Sequence, residues 1–440
     1  MKTCIIIPTF KSFQVTSETV KKLLEEQTNK DFDIIIVDCG SEDYKNLKQI
    51  FDKNKRVFII HCNRDLGGSG SFWLGMKFAY CAGYEIFILS DNDCFPLSVD
   101  LVDKVVGGVE VFKCVKPKDI NRDEKHFAEI GVMHFLTLKR DIVEKVGFPR
   151  PEFFIFCDDV DYYKRLGEVK IVEAYYKHND KISFDPYAFS SRLYYYVRNN
   201  FLLLVIDFIN SKGLSKVLQI SRFFTMLWRF MLPSLISEKT FEYIKFVLKS
   251  FYDAIELKFG RESNLKIFKP TFSKNEIFKY DFILSANSKL LENTKFDGKK
   301  LYLPFPSYQR NFFSYLRQFL RSYLFLFKFF RKKILLLDIV DYFALVTARN
   351  IKFMDYIIRP KPFRNMIFSA VVFPIFSSLA VIFTLRKLIR IKESRYLKKL
   401  KEFFDLELKD LEYEVFYCSD RSIHRISEED FKWLKKSFYH

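Results

Sequence analysis

The chain has 440 residues, of which 49% are hydrophobic and 18% aromatic, including 52 Phe. This length exceeds what one core usually needs, so we expect two domains or one domain with a large extension. The eight cysteines are scattered without a C-x-x-C pair, which indicates reduced thiols in the cytosol and gives no sign of a cysteine metal cluster. The apolar run in MKTCIIIPTF is too short for a signal peptide, so we expect this part of the chain to stay in the cytoplasm.

The net charge of +18 is concentrated in one region. Residues 301–400 contain 19 Lys and Arg against four acidic residues, which places +15 in that hundred. Such a concentration predicts a partner with negative charge, either membrane lipid headgroups or nucleic acid.

Four apolar segments in the first 90 residues are predicted strands, and helical patterns separate them. Strands that alternate with helices indicate right-handed βαβ units and a mostly parallel sheet. Each strand ends at polar or glycine-rich residues, as the binding edge of such a sheet requires. The strands are Cys4–Ile7 before Thr9, Ile34–Val37 before Asp38, Val57–His61 before Asn63 and the stretch from Gly67 to Gly70, and Ile86–Leu89 before Asp91.

Two carboxylates directly follow the fourth strand, in the segment GYEIFILSDNDCFP. Asp91 and Asp93 are separated by one residue, and a turn at a strand end lets both reach one Mg²⁺ or Mn²⁺ that also holds phosphate oxygens. The alternative is a turn in which Asp and Asn only cap the backbone. The neighbouring strand ends favour the metal site.

The other strand ends also have simpler interpretations. Asp38 alone could cap a helix, and the glycines from Gly67 to Gly70 alone could form a flexible turn. The glycine stretch is neither G-x-G-x-x-G nor a Walker A sequence, so dinucleotide or ATP binding is not predicted. The order and spacing of the four ends together favour a nucleotide-binding crevice.

These motifs resemble those of family 2 glycosyltransferases with the GT-A fold, in particular the branch of galactofuranosyl- and rhamnosyltransferases. The resemblance continues in later segments and covers about residues 1–261. In chain order the segments are IIIPTF from Ile5, IIVDCGS from Ile35, NRDLGGSGSFWLGM from Asn63, LSDND from Leu89, FFIFCDDVDYYKR from Phe153, His178, YYYVRNN from Tyr194 and DAIELKFGR from Asp253.

The resemblance implies a site for a nucleotide diphosphate sugar. Residues matching Thr9 and Asp38 hold the base and ribose in such enzymes, and those matching Asp91 and Asp93 hold Mn²⁺ or Mg²⁺ on the diphosphate. That cation neutralises the leaving nucleoside diphosphate, so departure needs no separate acid. Arg198 is expected to contact phosphate or to fix the fold. The predicted donor contacts are Thr9, Asp38, Asn63, Gly67, Gly68, Asp91, Asn92 and Arg198.

Histidine has a simple interpretation at most positions, because a lone His more often lies in a core or on a surface than on a metal. His178 is predicted as a third metal ligand, since the family places a metal-binding His at the corresponding strand end. His61, His126 and His134 are interpreted as ordinary residues.

Two adjacent carboxylates, Asp158 and Asp159, follow the aromatic run FFIF. Partial shielding by aromatic rings can raise the pKa of one carboxylate enough for it to act as a base. We predict that Asp159 removes the proton of the acceptor hydroxyl, while Asp158 or Asp161 orients the acceptor and Trp73 contacts it. The alternative is a helix N-terminus enriched in acids.

Beyond about residue 262 the prediction rests on composition. Residues 310–332 are predicted as an interfacial helix with a basic stripe opposite Phe and Leu, or as a core helix with one solvated face. Residues 365–385 are 21 positions without a charge, enough to cross a bilayer or to form a re-entrant hairpin. Residues 391–436 are expected to be helical in part. The stripe consists of Arg310, Arg317, Arg321, Lys328 and Lys332.

The predicted fold class is α/β: a Rossmann-like GT-A domain over residues 1–200, a helical extension over 201–262 and a basic, mostly helical, membrane-associating domain over 263–440. The predicted function is inverting, metal-dependent transfer of a sugar from a UDP- or dTDP-sugar to a glycan or lipid-linked acceptor at the cytoplasmic face of the cell membrane. A non-catalytic nucleotide-sugar or glycan-binding subunit and a basic nucleic-acid-binding protein are the other hypotheses. The carboxylates favour the enzyme, and the Phe enrichment favours a membrane over nucleic acid.

Overall fold

The chain forms two compact units, which we call the first unit (residues 1–180, 259–263 and 394–440) and the second unit (181–258 and 264–393). This division differs from the predicted one, because the C-terminal residues return to the first unit. The structure, a computed structural model, describes residues 2–107, 111–115, 133–167, 169–178, 186–231, 240–262, 282–285, 299–302, 334–336, 386–418 and 420–438.

Four parallel strands form the centre of the first unit, at the positions that the sequence predicts. Strand β1 (Thr3–Thr9) lies between β2 (Asp33–Cys39) and β4 (Ile86–Ser90), and β3 (Val57–Cys62) pairs with the far side of β2. Their apolar residues are buried almost completely, as in a parallel sheet that helices cover on both faces. Parallel pairing brings the four strand ends to one edge of the sheet.

Additional strands make this a mixed sheet. Strand β7 (His134–Lys139) runs antiparallel to β4, and β6 (Val111–Val115) lies between β7 and β8 (Lys170–His178). The short strand β5 (Cys94–Pro96) follows the Asp91–Asp93 turn and pairs antiparallel with β8. The sheet therefore continues past the predicted strands on the side of the two carboxylates.

Helices pack on opposite faces of β1. Ile5 and Ile7 share a core with α1, whereas Ile6 faces α3. A Cβ atom added at Gly75 of α3 would lie 2.5 Å from Ile6 Cγ2, so this helix can approach the sheet closely only with glycine there. The helices of this part are α1 (Phe13–Glu26), α2 (Asp43–Phe51), α3 (Gly67–Cys81), α4 (Leu101–Val106), α5 (Arg140–Val146) and α6 (Asp158–Leu166).

The described residues of the second unit form three long helices and a small parallel sheet. Phe201 of the first helix packs against Phe223 of the second and Phe251 of the third, with ring centroids 6.1 and 4.5 Å away. The elements are α7 (Pro186–Asn210), α8 (Gly213–Met231), α9 (Thr240–Ile255), and β9 (Phe282–Ser285) between β10 (Lys299–Tyr302) and β11 (Ile334–Leu336).

The C-terminal segment completes the sheet of the first unit. It contains α10 (Glu393–Phe403), β12 (Glu412–Tyr417), β13 (Asp420–Arg425) and α11 (Glu428–Phe438). Strand β12 pairs antiparallel with β3, whose outer edge would otherwise present unpaired backbone groups, and β13 pairs with β12. The strand order across the sheet is β13-β12-β3-β2-β1-β4-β7-β6-β8-β5.

The two predicted membrane elements, residues 310–332 and 365–385, lie outside the described residues. Among the helices that the structure does describe, none combines the length and the apolar character needed to cross a bilayer.

Candidate active site

Asp91 stands at the end of β4, directly after Ser90, and 42% of its side chain is exposed. Its Oδ2 atom lies 3.0 Å from Nε2 of His134 on the adjacent strand β7. The Nδ1 atom of His134 lies 2.9 Å from the hydroxyl of Tyr176 on β8. A hydrogen-bonded row of three side chains thus connects the predicted metal ligand to the interior of the sheet.

Asn92 faces the start of α1. Its Nδ2 group donates to the hydroxyl oxygens of Ser12 (2.6 Å) and Thr16 (3.0 Å), and its backbone carbonyl accepts from Thr19 Oγ1 at 2.6 Å. The Thr9 hydroxyl lies 2.8 Å from that of Thr16. The predicted residues at the ends of β1 and β4 therefore belong to one hydrogen-bonded cluster.

Asp38 ends β2 in a fully buried position. The Ser41 hydroxyl donates to Oδ1 at 2.5 Å, and Nδ1 of His61 lies 3.1 Å from Oδ2. The His61 ring in turn stacks on Tyr44, with 3.8 Å between centroids. Because buried charges need such partners, Asp38 is held in one orientation at the sheet edge.

The predicted glycine stretch forms the start of α3. Gly67 has a φ of +66°, and a Cβ atom there would lie 2.1 Å from the carbonyl oxygen of Phe154, so only glycine fits. The backbone N–H of Ser69 donates to the same carbonyl at 3.1 Å. At Gly68 an added Cβ would meet nothing within 4 Å, and Asn63 is exposed. The glycine stretch therefore contacts the loop that precedes Asp158.

The loop before α6 has a strained backbone. Phe154, Phe156 and Cys157 have φ values of 66°, 68° and 65°, in a region that bulky side chains rarely adopt. Strain of this kind persists only where the surroundings enforce it, and it is concentrated at functional sites. Here it places Asp158 and Asp159 in the first turn of α6.

Asp158 is a buried carboxyl with an altered pKa. Burial raises its pKa to about 6, the charge of Asp91 acts in the same direction, and backbone hydrogen bonds together with the Ser69 side chain oppose the rise. Asp158, which lies beside the predicted catalytic base, is therefore close enough to the predicted metal ligand Asp91 for their charges to interact. Asp159 is half-buried, and its Oδ1 accepts from the N–H of Val160 at 2.7 Å.

The buried charge of Asp158 leads to a stability prediction. A pKa increase from 3.8 to about 6 corresponds to a cost of roughly 3 kcal/mol for the ionised form in the folded state. We expect Asp158→Asn to raise the free energy of unfolding by about 1–3 kcal/mol at pH 7.5 in the presence of EDTA. The gain should shrink as the pH falls through 6 and vanish below about 4, where folded and unfolded wild type are both protonated.

Urea unfolding of both proteins across this pH range would measure the difference. Asp161→Asn is the matched control and should destabilise the protein at pH 7.5, because it leaves two buried arginines without their shared carboxylate. A difference between Asp158→Asn and wild type that does not change with pH would contradict the assigned burial cost.

Three other predicted residues occupy the interiors of the two units. Asp161 is buried between Arg150 Nη1 at 3.1 Å and Arg165 Nε at 3.0 Å, and Trp73 is buried in α3. Arg198 belongs to the second unit, where its guanidinium is buried against Tyr195 and its Nε donates to Asn199 Oδ1 at 2.9 Å. The structure therefore places these three in packed surroundings.

His178 is the last residue of β8 and is paired in register with Cys94, which follows Asp93 directly. Its side chain lies outside the described part of the structure. Its role as a third ligand stays a prediction.

The donor set at the turn fits a hard divalent cation. Asp91 and Asp93 supply carboxylate oxygens, which Mg²⁺ and Mn²⁺ prefer, and such a cation commonly binds one or two carboxylates together with substrate phosphates and water. Within the described residues, no cluster of three or more His, Cys, Asp or Glu is arranged to hold a metal by itself. The two carboxylates therefore suit a cation that also takes oxygen ligands from outside the protein.

Residues 4–109, which contain β1 to β4 and the Asp91–Asp93 turn, match the family model described as Glycosyl transferase family 2. The chain carries a family 2 glycosyltransferase domain. This match confirms the predicted family and the transferase class, whereas the predicted branch stays a prediction. None of the curated proteins compared matches the chain.

Several solved structures resemble part of the chain at low sequence identity. S. aureus TarS is 12% identical with a TM-score of 0.41, over 58% of this chain and 49% of TarS, so the chain spans about half the length of that protein. TarS 1-349 in complex with UDP-GlcNAc is 13% identical with a TM-score of 0.39, over 59% and 82% of the two chains. The Pyrobaculum calidifontis mannosyltransferase PcManGT, in complex with GDP-Man and Mn²⁺, is 14% identical with a TM-score of 0.39, over 57% and 74%.

Sequence reasoning missed His134 at the site of the glycosyltransferase domain. Its contact with Asp91 depends on the antiparallel pairing of β7 with β4, across more than forty intervening residues. One sequence signal was available, since His134 starts an apolar segment, HFLTL, of the length of a buried strand. That segment could have been placed beside β4.

Proposed function

We propose that the protein transfers a sugar from a nucleotide diphosphate donor, a UDP- or dTDP-sugar, to a hydroxyl of a glycan or lipid-linked acceptor, with inversion at the sugar carbon. The observation that carries this proposal is the position of Asp158 and Asp159 at the start of α6, where Asp158 experiences the charge of Asp91. Sugar transfer needs a cation for the diphosphate and a base for the acceptor hydroxyl. Asp91 on the one side and Asp158 with Asp159 on the other would supply these two functions.

On the donor side, Asp91 and Asp93 would hold Mn²⁺ or Mg²⁺, which supplies charge neutralisation for the leaving diphosphate. Asp38 and Thr9 are the proposed contacts to ribose and base. Asp38 stands at the end of β2 with its two oxygens held by Ser41 and His61, so a ribose hydroxyl would have to replace one of these partners to bind it.

On the acceptor side, Asp159 would accept the hydroxyl proton while that oxygen forms the bond to the sugar carbon and the diphosphate leaves with the electrons of the broken bond. Its half-buried position supports this role, since the acceptor has to reach it. Asp158, directly beside it and buried, would orient the acceptor or the base. We assign Asp161 and Trp73 to the framework of the site and Arg198 to that of the second unit, because each is buried in its packed surroundings.

Donor binding tests the metal part of this proposal. We expect Asp93→Ala to lower the affinity for UDP in Mn²⁺ to the level that wild type shows in EDTA, because the diphosphate loses its counterion. Isothermal titration with UDP in Mn²⁺ and in EDTA would measure this. Asp420→Ala is the control, since Asp420 is an exposed carboxylate on β13. This strand lies at the other end of the sheet from β5, which directly follows Asp93. Equal affinity of wild type in Mn²⁺ and EDTA would refute the metal role.

We further propose that the protein works at an anionic membrane surface, and the outward face of α8 supports this. Leu214, Val217 and Leu218 are 76%, 59% and 56% exposed, whereas Phe223 and Leu227 of the same helix are buried. An apolar outer face with basic neighbours is typical of a helix that lies in the membrane interface. Residues 211–231 contain no acid and four basic residues, Lys212, Lys216, Arg222 and Arg229.

Vesicle flotation would test this surface. The triple change Leu214→Ser, Val217→Ser and Leu218→Ser should weaken binding to phosphatidylserine vesicles at least about tenfold, because each buried apolar side chain contributes about 1.5 kcal/mol or more. Ile423→Ser changes an exposed apolar residue of β13 and should have no effect. Unchanged binding of the triple variant would reject this face of α8.

A further inference from the structure

We infer that His134 and Tyr176 act as a positioning pair that fixes the carboxylate of Asp91 for the diphosphate-bound cation. The inference rests on the proposed function, because it assigns these two residues a task at the same site. Asp91 follows strand β4, whereas His134 and Tyr176 belong to β7 and β8. Asp91 Oδ2 lies 3.0 Å from His134 Nε2, and His134 Nδ1 lies 2.9 Å from the Tyr176 hydroxyl.

A bulge in β7 directs His134 at the site. Leu89 pairs with Leu136, but Ser90 pairs with His134, so Phe135 is an extra residue on that strand. Phe135 has a φ of 55° although it is bulky and fully buried. Bulges re-aim side chains beside active sites, and a positive φ at a bulky residue is a strained conformation. An ordinary core histidine would not need this backbone, which indicates that the orientation of His134 matters.

The hydrogen bonds have a defined direction. An ionised Asp91 can only accept, so Nε2 of His134 carries the proton of that bond. In neutral His134 the Nδ1 atom is then an acceptor, and the Tyr176 hydroxyl donates to it. Both nitrogens are thereby satisfied in a mostly buried ring, 10% of which is exposed. Tyr176 therefore holds the His134 ring in place, and His134 in turn holds the carboxylate of Asp91.

Tyr176 is a suitable anchor for the pair. It is fully buried, its ring lies 5.6 Å from that of Phe135, and its backbone pairs with Pro96, three residues after Asp93. The turn that carries Asp91 and Asp93 is consequently held on both sides. Removal of a residue that hydrogen-bonds to a metal-binding side chain typically weakens metal affinity by about 10- to 100-fold. We assign His134 and Tyr176 to this class of residue.

Two substitutions at His134 separate the bond to Asp91 from the bond to Tyr176. His134→Gln places an amide N–H where Nε2 was and can still donate to Asp91, whereas His134→Asn reaches only the position of Nδ1. In Mn²⁺ titrations of the full chain followed by electron paramagnetic resonance, with and without UDP, the Asn variant should bind Mn²⁺ about 10- to 100-fold more weakly than wild type. The Gln variant should recover most of this loss, and Tyr176→Phe should lose less than the Asn variant.

Circular dichroism and melting temperature establish that each variant is folded. Unchanged Mn²⁺ affinity in a folded Asn variant would overturn the inference, and so would a folded Gln variant as weak as Asn. Pulsed resonance that shows a ¹⁴N coupling to Mn²⁺ in wild type and none in the Gln variant would make His134 a ligand itself and would also overturn it. Wild type that binds no Mn²⁺ with UDP would instead remove the proposed metal-dependent function, and this inference with it.

Discussion

Replacing Asp159 by Asn is expected to lower kcat by about two to four orders of magnitude, the usual contribution of a general base, while the Kd for UDP stays nearly unchanged. The substitution keeps the shape of the side chain and the acceptor oxygen for the Val160 N–H, but removes the group that accepts a proton. Because Asp159 is half-buried at the start of α6, its loss should leave the core intact. Single-turnover release of UDP from the donor, in the presence of an acceptor, would measure the effect.

Asp158→Asn is the informative comparison for this experiment. If Asp159 is the base, its Asn variant should show the larger loss of kcat, while Asp158→Asn should mainly change the acceptor KM and stabilise the fold. Near-normal turnover of the Asp159 variant would move the base to Asp158 or out of this pair. Glu144→Gln controls for the loss of an acidic group, since Glu144 forms an exposed ion pair with Arg140 on α5.

Deleting residues 394–440 is expected to prevent the first unit from folding. The described part of this segment contributes twelve buried apolar side chains, which at about 1.5 kcal/mol or more each exceed the roughly 5–15 kcal/mol of net stability that a domain usually has. The deletion also removes β12 from the edge of β3 and two partners of buried polar groups. Tyr396 donates to Glu152 at 2.9 Å, and the Ser437 carbonyl accepts from Arg150 at 2.5 Å.

Solubility, near-ultraviolet circular dichroism and protease resistance of the truncated chain would test this expectation. Tyr396→Phe is the graded comparison, because it removes only the hydroxyl and should cost about 1–3 kcal/mol by leaving buried Glu152 without that donor. A truncated chain with native circular dichroism and normal UDP affinity would show that the segment is dispensable. A chain that ends at residue 262 lacks the same strands, so we expect it to fail to fold in the same way.

The parallel centre of the fold was predictable from the sequence because its signals are local. Uninterrupted apolar runs such as Ile34–Val37, each followed by a polar or glycine-rich turn, indicate both the strand and the edge at which it ends. The antiparallel additions were not predictable in this way. The register of β12 on β3 depends on residues about 350 positions apart, and no local pattern in either strand specifies the other.

The site was predictable to the extent that its residues follow strands directly. The sequence predicts Asp38 and Asp91 at strand ends, and both lie at the same edge of the sheet. His134 was not predicted, because its role comes from the bulge at Phe135 and from pairing with a distant strand. The sequence places Asp161 one helical turn after Asp158, beside it on the helix surface. Its ion pairs with Arg150 and Arg165 depend on the fold, and no spacing in the sequence predicts them.

The late position of β12 has a consequence for biosynthesis. The nascent chain completes β3 at Cys62, but β12, which covers the outer edge of β3, begins only at Glu412. Ribosomes that add about 5–20 residues per second therefore leave this edge uncovered for roughly 20 to 70 seconds. An uncovered apolar edge can pair with other chains, which favours aggregation during synthesis. Slower translation would lengthen this interval, and chaperones that bind nascent chains would protect the edge until the last strands emerge.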